Sequence, residues 1–263
     1  MDARLVQWLA GEFRVFLLVL VRVGALVFMM PVFGSRAVPM QVKALITLVL
    51  AVILTPVARF TPADFPGAPL SFAVTVAGEL MVGLTLALML RLIFGGVQLA
   101  GQMVGFQMGF SVANVVDPQT GAQSVIMAQF IYLTALLLFL VVNGHHLILY
   151  NLFESLQLLH PGHIHLHEGL YRLVSRFAAE MFILSVKLLA PVMAILLFSQ
   201  VALGILAKTV PQMNLLMLSF GLNIGLGLFF LGLCMEVFWP VLARTLMEAA
   251  NLLPAAVRLL AGS

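Results

Sequence analysis

Gln98-Leu99-Ala100-Gly101-Gln102-Met103-Val104-Gly105-Phe106-Gln107-Met108-Gly109-Phe110 is the stretch in which this chain changes character. Written on a helix, Gln98, Gly101, Gln102, Gly105 and Gly109 share one face, because residues three and four apart stack. That face is smooth and polar in an otherwise oily chain. It suits contact with another helix or the wall of a water-filled path. Beyond Phe110 the sequence turns polar through Ser111, Asn114 and an Asp117-Pro118 turn.

On both sides of this stretch lie long apolar runs, at 13–33, 43–58, 70–94, 125–142, 177–207 and 214–239. A spanning helix needs roughly 20 mostly apolar residues, so the runs predict an all-α integral membrane protein with about six apolar helices. Pro31, Pro56 and Pro240 stand at run ends and Pro191 stands inside one, so several helices are expected to be bent or broken. The joints fall at 34–41, 59–69, 143–176 and 208–212, and the glycine-rich stretch 95–124 reads as another. The longest joint has room for one helix and a loop, which excludes an extramembrane domain. The first run carries Arg22 and no small-residue cleavage site follows it, so it reads as a retained helix rather than a signal peptide.

Composition supports the same class. Of 263 residues, 63% are hydrophobic and 9% charged, whereas soluble domains carry about 25% charged residues. There is too little polar surface to face water all round. The net charge of +3 does not point to nucleic acid, because the thirteen basic residues are scattered with no stripe to track phosphates. Cys234 is the only cysteine, which excludes an internal disulfide and a CxxC metal site.

Five charges lie inside apolar runs: Arg22, Glu79, Glu180, Lys187 and Glu236. Each costs a few kcal/mol at mid-membrane unless paired or hydrated. They suit either a proton or ion relay or interhelical pairing in a protein-packed interior, and no Asp/Glu pair at helical spacing marks a path. His160, His163, His165 and His167 form a metal-like pattern, but Pro161, Gly162 and Gly169 make the segment a loop. With no Cys or Asp to complete a shell, it reads as solvated and no metal is assigned. His145 and His146 are placed at a helix end. No GxSxG, HExxH, Walker A or strand-framed GxGxxG is present, so no catalytic residue and no cofactor are assigned and an enzyme is not expected.

Taken jointly, several motifs follow a familiar order. Gly78-Glu79-Leu80-Met81-Val82-Gly83-Leu84 precedes Gln98-Leu99-Ala100-Gly101-Gln102, then Gln107-Met108-Gly109-Phe110-Ser111, Val116-Asp117-Pro118-Gln119, Phe139-Leu140 and Asn143-Gly144-His145-His146. This order resembles the export-gate family of type III secretion, whose flagellar members are the FliR proteins and whose virulence members are the SctT proteins. Ala207-Lys208-Thr209-Val210-Pro211-Gln212-Met213-Asn214, followed by Leu218-Ser219-Phe220, is similar to the turn of the small two-helix FliQ proteins. The histidine loop has no counterpart in the family pattern.

The resemblance implies a FliP-like helical part at 1–176 followed by a FliQ-like helical hairpin at 177–263. It implies a structural and gating subunit in the bacterial inner membrane, within the flagellar basal body. The partners would be FliP-like, FliQ-like and FlhB-like proteins, membrane lipid, and unfolded flagellar proteins as substrates, with no nucleic acid and no nucleotide site. It also places Phe106, Gln107, Met108, Gly109, Phe110, Ser111, Asn114, Asp117 and Pro118 in a pore-plugging loop. Glycines there allow backbone movement, and Phe and Met supply soft apolar bulk that can seal by dewetting. A packing hairpin without a gating role stays open as the plainer alternative. The same subunit of a virulence injectisome, or a small-solute transporter using Glu79, Glu180 and Lys187, are the other functions considered.

Overall fold

The computed structural model describes residues 3–35, 38–60, 68–110, 123–162, 168–209 and 215–261. Through them run seven α-helices: α1 (Ala3–Met29), α2 (Met40–Leu54), α3 (Pro69–Gln107), α4 (Gln123–Val141), α5 (Gly144–Leu158), α6 (Glu168–Thr209) and α7 (Leu215–Ala261). A 3-10 turn at Thr55–Val57 closes α2, and among the described residues there is no strand. The fold is therefore the all-α membrane class that the composition requires. Among the described residues four helices are long and apolar enough to cross a membrane, or five if α4 and α5, bent by 66° at their break, make one span.

The glycine-rich stretch does not form a joint at residue 95, because α3 continues through it to Gln107. Packing explains this. A Cβ on Gly96 would lie 2.6 Å from the Met181 carbonyl oxygen, so the glycine admits the α6 backbone instead of turning the chain. The 143–176 joint contains α5, started at Asn143 in a left-handed conformation (φ 58°, ψ 29°). Asparagine tolerates that region better than most residues. In α6, Leu189 departs from helical geometry (φ −126°, ψ 18°) two residues before Pro191. Proline cannot donate to the carbonyl four residues back, so the bend falls where the ladder loses a bond. Pro240, by contrast, lies inside α7. Buried Leu231, Cys234, Phe238, Leu242 and Leu246 repeat at helical spacing on both sides of it, and this packing holds the helix together.

The chain divides into two compact units. The first comprises 1–92, 143–177 and 247–263. Its core uses Val15, Leu18, Val19, Val23 and Leu26 of α1, at the i, i+3, i+4 spacing of one helical face, with Val82, Leu86 and Met89 of α3 and Leu152 and Leu156 of α5. In contrast, α2 buries only Thr47 and Ala51. The second unit comprises 93–142 and 178–246. In it Phe94 meets Tyr132 and Phe139 edge-on, with centroids 5.8 and 5.6 Å away.

Candidate functional site

The second half of α3 sorts its residues by direction. Gly101, Val104, Gly105 and Met108 are buried, while Gln98, Gln102 and Phe106 are exposed. Gly101 sits against α4 so closely that a Cβ there would lie 2.6 Å from the Ala128 Cα. The helix ends with Met108 N–H donating to the Val104 carbonyl (2.9 Å) and Gly109 N–H donating to the Phe106 carbonyl (3.0 Å). Gly109 then takes a positive φ of 92°, the conformation that ends many helices because glycine has no Cβ to strain. As a result Phe106 is 68% exposed and Met108 fully buried, two residues apart. Gln107, Gly109 and Phe110 are half-buried between these extremes. Ser111, Asn114, Asp117 and Pro118 lie outside the described residues, as do His163, His165 and His167; His160 is exposed.

The five charges in apolar runs separate into two groups. Arg22 of α1 and Glu79 of α3 are fully buried, and Arg22 Nε donates to Glu79 Oε2 at 2.5 Å. Arg22 also reaches the C-terminal end of α5, where one guanidinium nitrogen donates to the Ser155 carbonyl at 2.6 Å and the other to the Leu159 carbonyl at 3.5 Å. The last carbonyls of a helix have no helical donor and carry its negative end. One cation thus joins a carboxylate oxygen to a helix terminus, while Glu79 Oε1 is buried without a hydrogen-bond partner among the described residues. The Phe60 ring lies 5.5 Å from the guanidinium carbon, within cation–π range. Glu180 and Lys187 of α6 and Glu236 of α7 are exposed, and among the described residues they make no hydrogen bond or ion pair.

These elements occur in a chain of recognisable kind. A sequence model of the bacterial export proteins, family 1, matches residues 13–249. The chain belongs to this family. The flagellar biosynthetic protein FliR of Bacillus subtilis (strain 168) is 39% identical over 236 residues, covering 87% of this chain and 89% of the relative. FliR of Escherichia coli (strain K12) is 29% identical over 249 residues, 94% of each chain. FliR of Caulobacter vibrioides is 27% identical over 244 residues, 91% of this chain and 97% of the relative. The protein is a FliR-family export protein of flagellar biosynthesis, with helices that suit a membrane.

Several polar contacts of this FliR-family chain have no signal in the sequence. Ser199 of α6 donates to Asn223 Oδ1 of α7 at 2.8 Å, and both residues are buried. Gln200 Nε2 donates to the Gln107 carbonyl at 3.2 Å. Leu159 meets Arg22 through its main chain and Ser155 chiefly so, with its hydroxyl farther off at 3.3 Å, so their side-chain identity does little to advertise the role. Only the isolated position of Arg22 in an apolar run signals that a partner must exist.

Proposed function

We propose that this chain is the structural and gating subunit of the flagellar type III protein export gate, passing unfolded flagellar subunits across the inner membrane of the basal body. The observation that carries the proposal is the family match across residues 13–249, joined to the placement of Phe106, Met108 and Phe110 at the end of α3. In this reading Phe106 and Phe110 supply apolar bulk to the seal of the resting channel, with the fully buried Met108 anchoring them from within, because a hydrophobic constriction excludes water and ions without a rigid plug. Residues 1–176 act as the FliP-like part and 177–263 as the FliQ-like hairpin. FliP-like, FliQ-like and FlhB-like proteins complete the assembly around it. The exposed Glu180, Lys187 and Glu236 support an assembled state, since unpaired charges facing lipid cost a few kcal/mol each.

Deletion of the chain is expected to abolish filaments and secretion of flagellar proteins while other envelope proteins stay normal. Filaments of normal length in the deletion strain refute the proposal. Alanine at Phe106 or Phe110 is expected to make the resting gate conduct ions, and wild-type conductance in both variants refutes the sealing role alone.

A further inference from the structure

The end of α3 is held by a set of contacts that the sealing role does not require and the helix end does not need. All lie within the second unit. The Met108 side chain sits where Gly227 of α7 has no side chain, since a Cβ on Gly227 would come within 3.0 Å of Met108 Cγ, Sδ and Cε. The clash would involve three atoms of Met108, including one near its root, so no flick of the side-chain tip relieves it. Two turns away on α7, the Phe220 ring covers Gly109, where an added Cβ would lie 2.9 Å from two ring carbons. From α6, Gln200 donates to the Gln107 carbonyl. Three consecutive residues at the end of α3 are therefore each gripped by a different residue of the α6–α7 pair.

The grip is built on a rigid base. Phe220, Asn223 and Gly227 recur at helical spacing, so they share one face of α7. Asn223 binds Ser199, the residue before Gln200, so the hydrogen bond that joins α6 to α7 stands directly behind the contacts that hold α3. The Ser199–Asn223 bond thus ties the helix that carries Gln200 to the one that carries Phe220 and Gly227.

We propose that Gln200, Phe220 and Gly227 form a latch on Gln107, Met108 and Gly109, and that the gate opens only when Met108 leaves its seat over Gly227. The proposal rests on the sealing role given to Phe106 and Phe110. It adds that the seal is kept shut by the α6–α7 pair of the same chain, with Gln200, Phe220 and Gly227 as positioning residues. A turn that packed here for stability alone would not have to release during export.

The test uses the assembled gate in cells producing the full chain, with Cys234→Ala to remove the native thiol. In that background Met108→Cys and Gly227→Cys are combined. Bridging needs Cβ atoms about 3.5–4.5 Å apart, and a Cβ on Gly227 would lie 2.7 Å from Met108 Cγ, one bond from the Met108 Cβ. Oxidation is expected to form the disulfide, stop export of flagellar proteins, and leave the resting gate closed to ions; a reductant is expected to restore export. In a separate strain with Met108 intact, Gly227→Ala is expected to raise resting ion conductance several-fold, and Gln200→Ala to raise it less, with Leu228→Ala as a silent control. Failure of the cysteines to bridge overturns the latch, as does export at the wild-type rate with the bridge formed. Wild-type conductance in Gly227→Ala gates that assemble in normal amount also overturns it. If Phe106→Ala and Phe110→Ala leak while those outcomes hold, the sealing role stands and the latch alone has failed. If those two variants are silent, the sealing role itself has failed.

Discussion

Arg22 on α1 and Glu79 on α3, 57 residues apart in sequence, form a fully buried ion pair whose cation also caps the end of α5. Three helices of the first unit meet at one guanidinium. Removing a single partner of a buried pair leaves an uncompensated charge and costs about 3–5 kcal/mol. Arg22→Ala and Glu79→Ala are each expected to lower stability by about that much in thermal unfolding of the purified chain. The double variant Arg22→Met with Glu79→Leu is expected to lose less than either single one. It does not recover fully, because the Leu159 carbonyl loses the Arg22 donor and the Ser155 carbonyl keeps only the Leu159 N–H at 3.1 Å. A double variant less stable than both singles contradicts this account.

Ser155 gives a finer test of the same cluster. Arg22 lies 2.6 Å from the Ser155 carbonyl but 3.3 Å from its hydroxyl, and the hydroxyl already donates to the Leu152 carbonyl at 2.7 Å. The main chain therefore does most of the work. Ser155→Ala is expected to cost about 1 kcal/mol or less, the ordinary worth of one neutral hydrogen bond. A loss as large as that of Arg22→Ala shows that the hydroxyl, not the helix end, is the partner that matters.

Two glycines on different faces make an opposed pair. A side chain at Gly101 meets the Ala128 Cα at 2.6 Å, while one at Gly204 of α6 meets nothing within 4 Å. Gly101→Val forces α3 away from α4, and overpacking of this kind costs about 1–3 kcal/mol. Gly204→Ala removes helix-interior glycine without a clash, and a gain of roughly 0.5–1 kcal/mol is expected in the isolated chain. Unfolding midpoints of the two variants should move in opposite directions.

The Ser199–Asn223 hydrogen bond joins buried side chains, so removing one member strands the other. Asn223→Ala is expected to cost about 1–3 kcal/mol, and combining it with Ser199→Ala should add little more. Additive losses in the double-mutant cycle, read by denaturant unfolding, show that the two residues do not act on each other.

Lys187 and Glu236 are the counterpart of Arg22. Neither has a partner among the described residues, so Lys187→Leu and Glu236→Leu are expected to change the stability of the isolated chain by less than about 0.5 kcal/mol. In the proposed gate assembly both charges need to be matched. Co-purification with other gate subunits is therefore expected to fall in these variants, and unchanged recovery argues that lipid headgroups or water satisfy the charges instead.

What could be read from the sequence follows the physics of short range. The membrane class came from apolar run length and the shortage of charge, both local quantities. The bend of α6 came from Pro191, since a missing N–H acts on its own turn. The continuation of α3 past Gly95 and Gly96 was not legible, because a glycine that admits a neighbouring backbone looks the same in sequence as one that turns the chain. For the same reason Pro240 read as a helix end, although packing on both sides of it carries α7 onward.

By itself the sequence determined that this is a helical membrane protein with charges needing partners and an unusual glycine, glutamine and methionine segment. Its motif order also determined the export family, since that depends on residue identity along the chain. Only the tertiary structure decided that Arg22 and Glu79 are matched within the first unit while Lys187 and Glu236 have no partner among the described residues. Only it showed that the end of α3 is seated on Gly227 and gripped by Gln200. Pairing and seating depend on which faces are brought together by chain segments far apart in sequence, and no spacing within a single helix encodes that crossing.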